Sequence, residues 1–123
     1  METKCTKQLF NQGKLILSTS KGTVYFLPEQ IIRLQAKSNY TRIYFTDHIS
    51  LLTAKVLKEF EPLLMPLGFL RTHKSHLVNR QYINKVCNNG MLIMNDHSTA
   101  GIAKRRKAAI LKALRITTSI IEK

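Results

Sequence analysis

Apolar and polar residues alternate along two neighbouring stretches of this chain, as they do in β-strands that bury one face. In "IIRLQA" (residues 31–36), Ile32, Leu34 and Ala36 alternate with their neighbours, and "YTRIYFT" (residues 40–46) repeats the pattern. Successive strand residues point to opposite faces of a sheet, so we expect Ile32, Leu34 and Ala36 to share one face. Short polar turns separate these stretches from each other and from the following "ISLLT", which predicts an antiparallel meander.

Strand-like segments also precede and follow this meander. The segments "KLILST" (residues 14–19) and "TVYFL" (residues 23–27) are rich in residues that favour strands, and the Lys-Gly pair between them predicts a hairpin turn. Later segments of the same kind are "FLRTH" (69–73), "YINKVC" (82–87), "MLIM" (91–94) and "TAGIA" (99–103). The Asn-Asn-Gly run at residues 88–90 is a strong hairpin signal between two of them.

Two segments have helical rather than strand periodicity. In "TAKVLKEFEPLL", apolar residues recur at spacings of three and four, which predicts an amphipathic helix with Thr53 as its N-cap. Pro62 lacks a backbone donor and is expected to end or distort the last turn of this helix. The segment "KRRKAAILKALR" predicts a second helix, in which Ala108, Leu111 and Leu114 share an apolar stripe.

The charge of the chain indicates a polyanionic partner. Twenty Lys and Arg residues stand against seven Asp and Glu, giving a formal net charge of +13. Between Glu61 and Glu122 the single acidic residue is Asp96. Such an excess causes self-repulsion in the folded state unless phosphates neutralise it. Lys104 to Lys107 crowd the first turn of the final helix, where cations oppose the helix dipole and a docked phosphate would be stabilised.

Length and composition favour one reduced, cytoplasmic domain. The two cysteines, Cys5 and Cys87, stand at no metal-binding spacing and do not suggest a disulfide framework. The first residues lack the apolar core of a secretory signal, and the longest apolar runs are too short to cross a bilayer. We expect a single domain over residues 14–116, with an N-terminal extension at 1–13 and a C-terminal tail at 117–123.

Several motifs together resemble the LytTR DNA-binding domain of bacterial transcription regulators. These are Asn39-Tyr40-Thr41 opening a strand, a helix with "LKEFEPLL", and "GFLRTHKSHLVNRQYINKV", with a basic helix after the last strand. The resemblance covers roughly Leu15 to Leu114. It implies a mostly β fold of short antiparallel sheets, with one mid-chain helix and a basic C-terminal helix. It also implies a response-regulator-like protein that inserts loops, rather than a recognition helix, into successive major grooves of double-stranded DNA.

The resemblance assigns DNA contacts to three segments of the chain. The residues it places in or beside the grooves are Asn39, Tyr40, His73, Lys74, Ser75, Lys104 and Arg105. Their chemistry fits, because Lys or Arg donates to guanine O6 and N7, and Asn pairs with adenine N6 and N7. The cations better suited to phosphates, which set the register of a protein on DNA without reading its sequence, are Arg42, Arg71, Arg80, Arg106 and Lys107.

Three residues at two sites depart from the family pattern. His76 stands where the family usually has Tyr or Phe, and Ala103-Lys104 stands where Ser-Arg is common. The second change removes a hydroxyl group and replaces a bidentate guanidinium by a point charge. We therefore expect an altered preference for DNA sites rather than loss of binding.

The resemblance also bears on what accompanies this domain. Regulators of the family usually carry an N-terminal receiver domain, and the residues before the first expected strand are too few for one. The chain is then either a stand-alone DNA-binding domain, which Met1 favours, or a fragment of a longer regulator. Two copies on a repeated DNA site are expected from the family, so a homodimer on DNA is a further expectation.

The main alternative is a small basic RNA-binding protein. Recognition of single-stranded RNA usually needs clustered surface aromatic residues on which bases stack. Here five aromatic residues are expected in the core, namely Tyr25, Phe26, Phe45, Phe60 and Phe69, and the tyrosines that remain as candidates are Tyr40, Tyr44 and Tyr82. A titration with duplex DNA, single-stranded DNA and RNA distinguishes the two interpretations.

Other functions fit the residues less well. His73 and His76 suggest a metal site, but on one strand they would point to opposite faces, so we expect no metal and no cofactor. The seven carboxylates are scattered, and a nuclease would need a pair of them for Mg²⁺, so we expect no enzyme. A protein-binding module using Tyr44, Leu51 and Leu52 stays open, although no motif indicates it.

Overall fold

The computed structural model describes residues 10–11, 13–19 and 21–114, which form small antiparallel sheets and two short helices. The first sheet has the order β1-β2-β3, with β1 at Phe10–Asn11, β2 at Lys14–Thr19 and β3 at Gly22–Phe26. The expected hairpin of β2 and β3 is confirmed, since Leu15 pairs with Phe26 and Thr19 with Gly22.

The second sheet, here called the central sheet, has the order β6-β5-β4-β8-β7. Its strands are β4 (Ile31–Lys37), β5 (Tyr40–Phe45), β6 (Ser50–Thr53), β7 (Phe69–His73) and β8 (His76–Asn79). The predicted meander is therefore confirmed as β4-β5-β6. The β7–β8 hairpin pairs with β4 through β8, and this non-local pairing brings the middle of the chain beside its first third.

The third sheet has the order β11-β10-β9, with β9 at Ile83–Val86, β10 at Met91–Met94 and β11 at Thr99–Gly101. The turn between β9 and β10 contains Gly90 at φ 87°, a left-handed conformation that glycine adopts without strain. The hairpin predicted from the Asn-Asn-Gly run is thus confirmed. The mostly β fold expected from the sequence is confirmed as a whole.

Two hydrophobic cores lie on opposite faces of the central sheet. The main core joins this sheet to the first sheet and to the mid-chain helix, and its fully buried members include Leu17, Leu34, Phe60 and Leu77. The second core lies against the third sheet, and its members are Ile32, Val78, Leu92, Met94 and Ala100. Adjacent residues of β8 therefore enter different cores, which fixes the central sheet between the other two.

A bulge in β4 changes the predicted faces of its first residues. Ile31 pairs with Phe45 and Arg33 with Tyr44, so one extra residue, Ile32, stands on the β4 side. As a result Ile31 and Leu34 both pack in the main core, while Ile32 packs in the second core. The expectation that Ile32 and Leu34 share a face was wrong. In β5, by contrast, buried and less buried residues alternate strictly, as the sequence predicts.

The mid-chain helix is shorter than predicted. Thr53 ends β6 and is not an N-cap, so that prediction was wrong. A 3₁₀ turn covers Leu57–Phe60, the helix α1 covers Glu61–Leu64, and a second 3₁₀ turn covers Met65–Leu67. Proline is tolerated in a first turn, where its missing N–H needs no partner, and Pro62 lies in the first turn of α1 rather than at its end.

The C-terminal helix begins later than its sequence suggests. A 3₁₀ turn covers Lys104–Arg106 and the helix α2 covers Lys107–Ala113. Ile110 is the buried residue of α2, whereas Ala108 is exposed, so the predicted stripe was wrong at that position. Leu111 and Leu114 are half-buried beside Ile110.

Some expectations fall on parts of the chain that are not described. Cys5, most of the proposed N-terminal extension and the tail at 117–123 lie outside the described residues. Cys87 is described and is half-buried with a free thiol. In the described part of the chain, neither helix has the length and apolar character that crossing a membrane requires.

Candidate nucleic-acid interface

Two of the three expected contact segments are turns that lie side by side at one end of the central sheet, where its strands are joined. Ser38 and Asn39 turn the chain between β4 and β5, and Lys74 and Ser75 turn it between β7 and β8. Because β4 and β8 are neighbours, the amide of Ala36 donates to the carbonyl oxygen of Ser75 at 2.9 Å. This hydrogen bond joins two turns that are distant in sequence.

The third segment, the junction between β11 and α2, lies against the outer side of β7. The amide of Ala103 donates to the carbonyl of Thr72 at 2.8 Å, and the hydroxyl of Thr72 donates to the carbonyl of Gly101 at 3.0 Å. Nη1 of Arg106 also donates to the carbonyl of Arg71 at 3.2 Å. The junction is therefore held next to the β7–β8 turn.

Together these segments form what we call the recognition row: residues 38–40, 73–75 and 103–107, in that order across the sheet. Neighbouring strands lie about 4.8 Å apart, so the row extends roughly 17 Å from the middle of its first turn to the junction. The row contains most of the residues expected to contact DNA. The sequence alone does not give this distance, because it depends on how β4 and β8 pair.

The exposed tips of the row are its polar and basic side chains. Asn39, Lys74, Lys104 and Arg105 are all exposed. Tyr40 is 48% exposed at the start of β5. These side chains project into solvent from a framework whose neighbouring strands are paired and whose core is buried, which is the arrangement needed to present donors to a duplex.

His73 and Ser75 shape the central turn of the row rather than forming its tip. The amide of Ser75 donates to Nδ1 of His73 at 3.0 Å, and both side chains are half-buried. His73 also pairs with His76 across the hairpin, with ring centres 5.5 Å apart. The expectation that these histidines lie on opposite faces of one strand was wrong, because the segment is a hairpin. The described residues contain no group of three or more potential ligands that could hold a metal ion.

His76 lies in an environment that disfavours its charged form. Its pKa is lowered to about 4, mainly by burial and further by the positive charge of Arg33 and by His73. Its Nδ1 is buried and has no hydrogen-bond partner among the described residues. His76 is therefore neutral at neutral pH and acts as a packed ring.

Arg33 lies behind the row and was not identified as important from the sequence. It is only 7% exposed, and its Nε and Nη1 donate to Ser98 Oγ and Gln35 Oε1 at 3.0 and 3.1 Å. Its guanidinium carbon lies 4.0 Å from the ring centre of Tyr44, a cation–π contact. Arg33 thus joins the central sheet to the third sheet through Ser98.

Asp96 completes this connection. Burial acts to raise its pKa, but hydrogen bonds from the hydroxyl and amide of Ser98 and the charge of Arg33 outweigh that effect and lower it. The carboxylate is therefore ionised at neutral pH and orients Ser98 toward Arg33. No sequence signal marked Arg33, Ser98 and Asp96 as a set, because they meet only when the sheets pack.

The expected phosphate contacts do not all lie together. Arg106 and Lys107 belong to the row, and Arg42 lies near it, two positions into β5, with Nη1 donating to Ser50 Oγ at 3.0 Å. Arg80 is exposed but follows β8 at the end of the sheet opposite to Lys74, where its amide donates to the carbonyl of Gly68. The structure therefore does not bring Arg80 together with the row.

Arg71 has its guanidinium group turned toward the protein. Its Nε donates to the carbonyl of His73 at 3.0 Å, its Nη2 donates to the carbonyl of Lys74 at 2.6 Å, and its Nη1 forms an ion pair with Glu61. All three guanidinium nitrogens thus have protein partners. Glu61 was missed as a functional residue; its one signal is that it is the last acid before a strongly basic stretch.

The aromatic residues are distributed differently from the expectation. Phe45, Phe60 and Phe69 are buried as predicted, but Tyr25 is 57% exposed, so its expected core position was wrong. Of the three tyrosines proposed for base stacking, Tyr44 packs on Arg33, and the hydroxyl of Tyr82 donates to the carbonyl of Glu29. Tyr40 is the one that stands exposed in the recognition row.

Comparisons with known proteins identify the fold and the family of the chain. No curated protein matches the chain. Among solved structures, the LytTR DNA-binding domain of a Bacillus cereus protein described as a methyl-accepting/DNA response regulator matches with a TM-score of 0.74 and 22% sequence identity, over 86% of this chain and 100% of that one. The family model for the LytTR DNA-binding domain matches residues 21–115, which include all three segments of the row. The chain belongs to the LytTR family of DNA-binding domains.

Proposed function

We propose that this protein is a sequence-specific regulator of transcription that binds double-stranded DNA through the recognition row. Membership of a DNA-binding family supports DNA as the partner. The single observation that carries the proposed recognition row is the hydrogen-bonded alignment of three basic or polar segments at one end of the central sheet. The family is one of DNA-binding domains rather than enzymes, which agrees with a non-catalytic role. Action on chromosomal DNA would place the protein in the cytoplasm.

Base reading is proposed for the exposed tips of the row. Lys74 stands at the turn of a tight hairpin, which is narrow enough to enter a major groove about 12 Å wide. Asn39 on one side and Lys104 with Arg105 on the other offer donors to adenine and guanine edges. Tyr40 would pack beside the bases or on the sugar, and His73 and Ser75 would hold the turn that carries Lys74.

Phosphate contacts are proposed for the cations that flank these tips. Arg106 and Lys107 lie at the start of α2, and Arg42 lies beside the first turn. Contacts of this kind fix the register of a protein on the duplex without reading its sequence. Arg80 remains a predicted phosphate contact, but its position at the opposite end of the sheet makes it the least supported of the set.

The row spans roughly 17 Å, and its outer segments lie roughly 10 Å and roughly 7 Å from the central turn. Each of these separations is smaller than the width of a major groove, about 12 Å, so the outer segments would contact the same groove as the central turn or the phosphates that border it. Contact with successive major grooves, which lie about 34 Å apart, remains a proposal that rests on the family resemblance and not on the length of the row. Two copies on a repeated site, as a homodimer on DNA, remain part of this proposal.

RNA binding is the alternative, and the aromatic residues disfavour it. Proteins that bind single strands stack successive bases on several exposed rings. In the described part of the row, Tyr40 is the one exposed aromatic side chain. A single ring does not provide the platform that single-stranded RNA recognition usually employs.

Titration of labelled nucleic acids tests the proposal. A duplex carrying a site selected from a random pool, a scrambled duplex, the single strands and an RNA of the same sequence are compared at several salt concentrations. We expect the selected duplex to bind tightest, with a log–log salt slope of about −0.9 for each neutralised phosphate. Equal or tighter binding of the single-stranded RNA would refute the proposal.

A further inference from the structure

We infer that Arg71, held by Glu61, is a positioning residue that fixes the β7–β8 turn for base reading and does not itself contact phosphate. This inference rests on the proposed function, since it concerns how the same turn is presented to DNA. It assigns a role to an acidic residue in a protein whose partner is an anion. It also replaces the phosphate contact expected for Arg71 from the sequence.

The guanidinium group holds the two carbonyl groups at the tip of the hairpin. Nε of Arg71 donates to the carbonyl of His73 at 3.0 Å and Nη2 donates to the carbonyl of Lys74 at 2.6 Å. Both peptide planes are therefore oriented toward one side chain. The side chain of Lys74 is exposed at the tip that these two bonds brace.

Glu61 connects this arrangement to the core. It is the first residue of α1, and its neighbours Phe60 and Leu64 are fully buried in the main core. Its carboxylate pairs with Nη1 of Arg71, whose side chain is 12% exposed. The position of the turn is thus set through a contact that begins in the packed interior.

The ion pair also limits what Arg71 can offer to DNA. Its charge is matched by a carboxylate, and each of its nitrogens donates to a protein acceptor. A phosphate would have to displace these partners. The forked geometry of arginine is needed here because three acceptors surround one planar group, and a lysine ammonium lacks that fork.

The effect of neutralising Glu61 has opposite signs under the two interpretations. If Glu61 is an ordinary surface acid, Glu61→Gln raises the net charge by one and strengthens binding to every duplex. If Glu61 positions Arg71, the same substitution loosens the turn and reduces discrimination between sites. Glu59→Gln is the matched control. Glu59 is an acidic residue in the 3₁₀ turn directly before α1, but it pairs with Lys55 and not with a residue of the β7–β8 hairpin.

The experiment compares the dissociation constants of selected and scrambled duplexes for the wild type, Glu61→Gln and Glu59→Gln over a range of salt. We expect the selected-to-scrambled preference of Glu61→Gln to fall about tenfold, the effect of losing one good base contact, with an unchanged salt slope. Glu59→Gln should keep the wild-type preference. Equal behaviour of the two variants would overturn the inference.

Arg71→Lys gives a second test that keeps the charge. A phosphate contact survives this substitution, so unchanged affinity and preference would show that Arg71 is a phosphate ligand and would overturn the inference. The positioning role predicts a loss of preference similar to that of Glu61→Gln, because the fork is lost. Lys112→Arg, at an exposed position of α2, controls for exchange between the two cations.

Amide hydrogen exchange tests the inference without DNA. The amide of Ser75 donates to Nδ1 of His73, and the amide of Ala36 donates to the carbonyl of Ser75, so both report the order of the turn. We expect several-fold faster exchange at these two amides in Glu61→Gln and no change in Glu59→Gln. Unchanged exchange in Glu61→Gln would overturn the inference, whereas a wild type that fails to prefer duplex DNA would overturn the proposed function alone.

Discussion

The amide of Ala36 donates a hydrogen bond to the carbonyl oxygen of Ser75 at 2.9 Å. This bond joins the last part of β4 to the turn between β7 and β8. As a result, Asn39 and Lys74 lie on neighbouring turns at the same end of the central sheet. The roles proposed for these residues depend on that alignment.

Lys74→Ala should reduce discrimination between DNA sites. Lys74 is exposed at the tip of the central turn, so a contact to a base edge there is worth about 1–3 kcal/mol, and its loss should relax the preferred base at one position. Competition titrations with single-base variants of the selected site measure this effect. Uniform weakening across all duplexes would mean that Lys74 contacts only phosphate.

Lys107→Ala should weaken all duplexes to a similar degree. Lys107 is exposed at the start of α2, where a phosphate contact carries no sequence information. We expect the log–log salt slope to become less steep by about 0.9 while the preference between sites stays constant. Lys112→Ala, on the same helix but farther from the row, is the control and should leave the slope unchanged; a change of preference in Lys107→Ala would contradict the assignment.

Ala103→Ser combined with Lys104→Arg should alter the preferred DNA site. These changes restore the hydroxyl and the bidentate fork that the family commonly has at the junction. Because the junction stays bonded to Thr72 through the backbone of Ala103, the fold should be unaffected. Selection from a random pool should return a different base at the position that the junction contacts. An identical selected site would show that these side chains do not read bases.

His76→Phe should remove a component of the acid sensitivity of the fold. The pKa of His76 is lowered to about 4 by burial, Arg33 and His73, so between about pH 6.5 and 4 the unfolded chain binds more protons than the folded one. Stability supplied by the neutral histidine is therefore present above this range and is lost as the pH falls through it. After allowance for partial solvent exposure, the loss should be about 1 kcal/mol by pH 4.5.

Urea unfolding at pH 6.5 and 4.5 measures this difference. His76→Phe should lose less stability than the wild type over the interval. His48→Asn changes an exposed histidine at φ 70°, a conformation that asparagine tolerates, and should keep the wild-type dependence. Equal acid sensitivity of His76→Phe and the wild type would contradict the environment described for His76.

Local pattern predicted most strands of this fold but not its irregular positions. The alternation in β5 is a property of consecutive residues and was predicted correctly. The bulge at Ile32 arises because β4 must pair with β5 while presenting residues to two cores, and no local pattern encodes that requirement. The mid-chain helix was overpredicted because proline at positions 62 and 66 divides the apolar periodicity into single turns.

The exposed members of the candidate site were predictable, and its supporting residues were not. Lys74 and Arg105 were predicted from motif and charge, and they are exposed in the row. Arg71 was assigned to phosphate because an isolated sequence gives no sign that a cation is already paired. Its partner Glu61 stands ten positions earlier in the chain, and the two side chains meet only in the folded structure. Such pairs become visible only in three dimensions.

The most direct test of the recognition row is a map of backbone amide shifts on addition of the selected duplex. We predict that the largest changes fall on residues 38–42, 73–75 and 103–107, with little change at Tyr25 and Leu67, which are exposed outside the row. Changes concentrated at Tyr25, Leu67 and Arg80, with the row unaffected, would contradict the account.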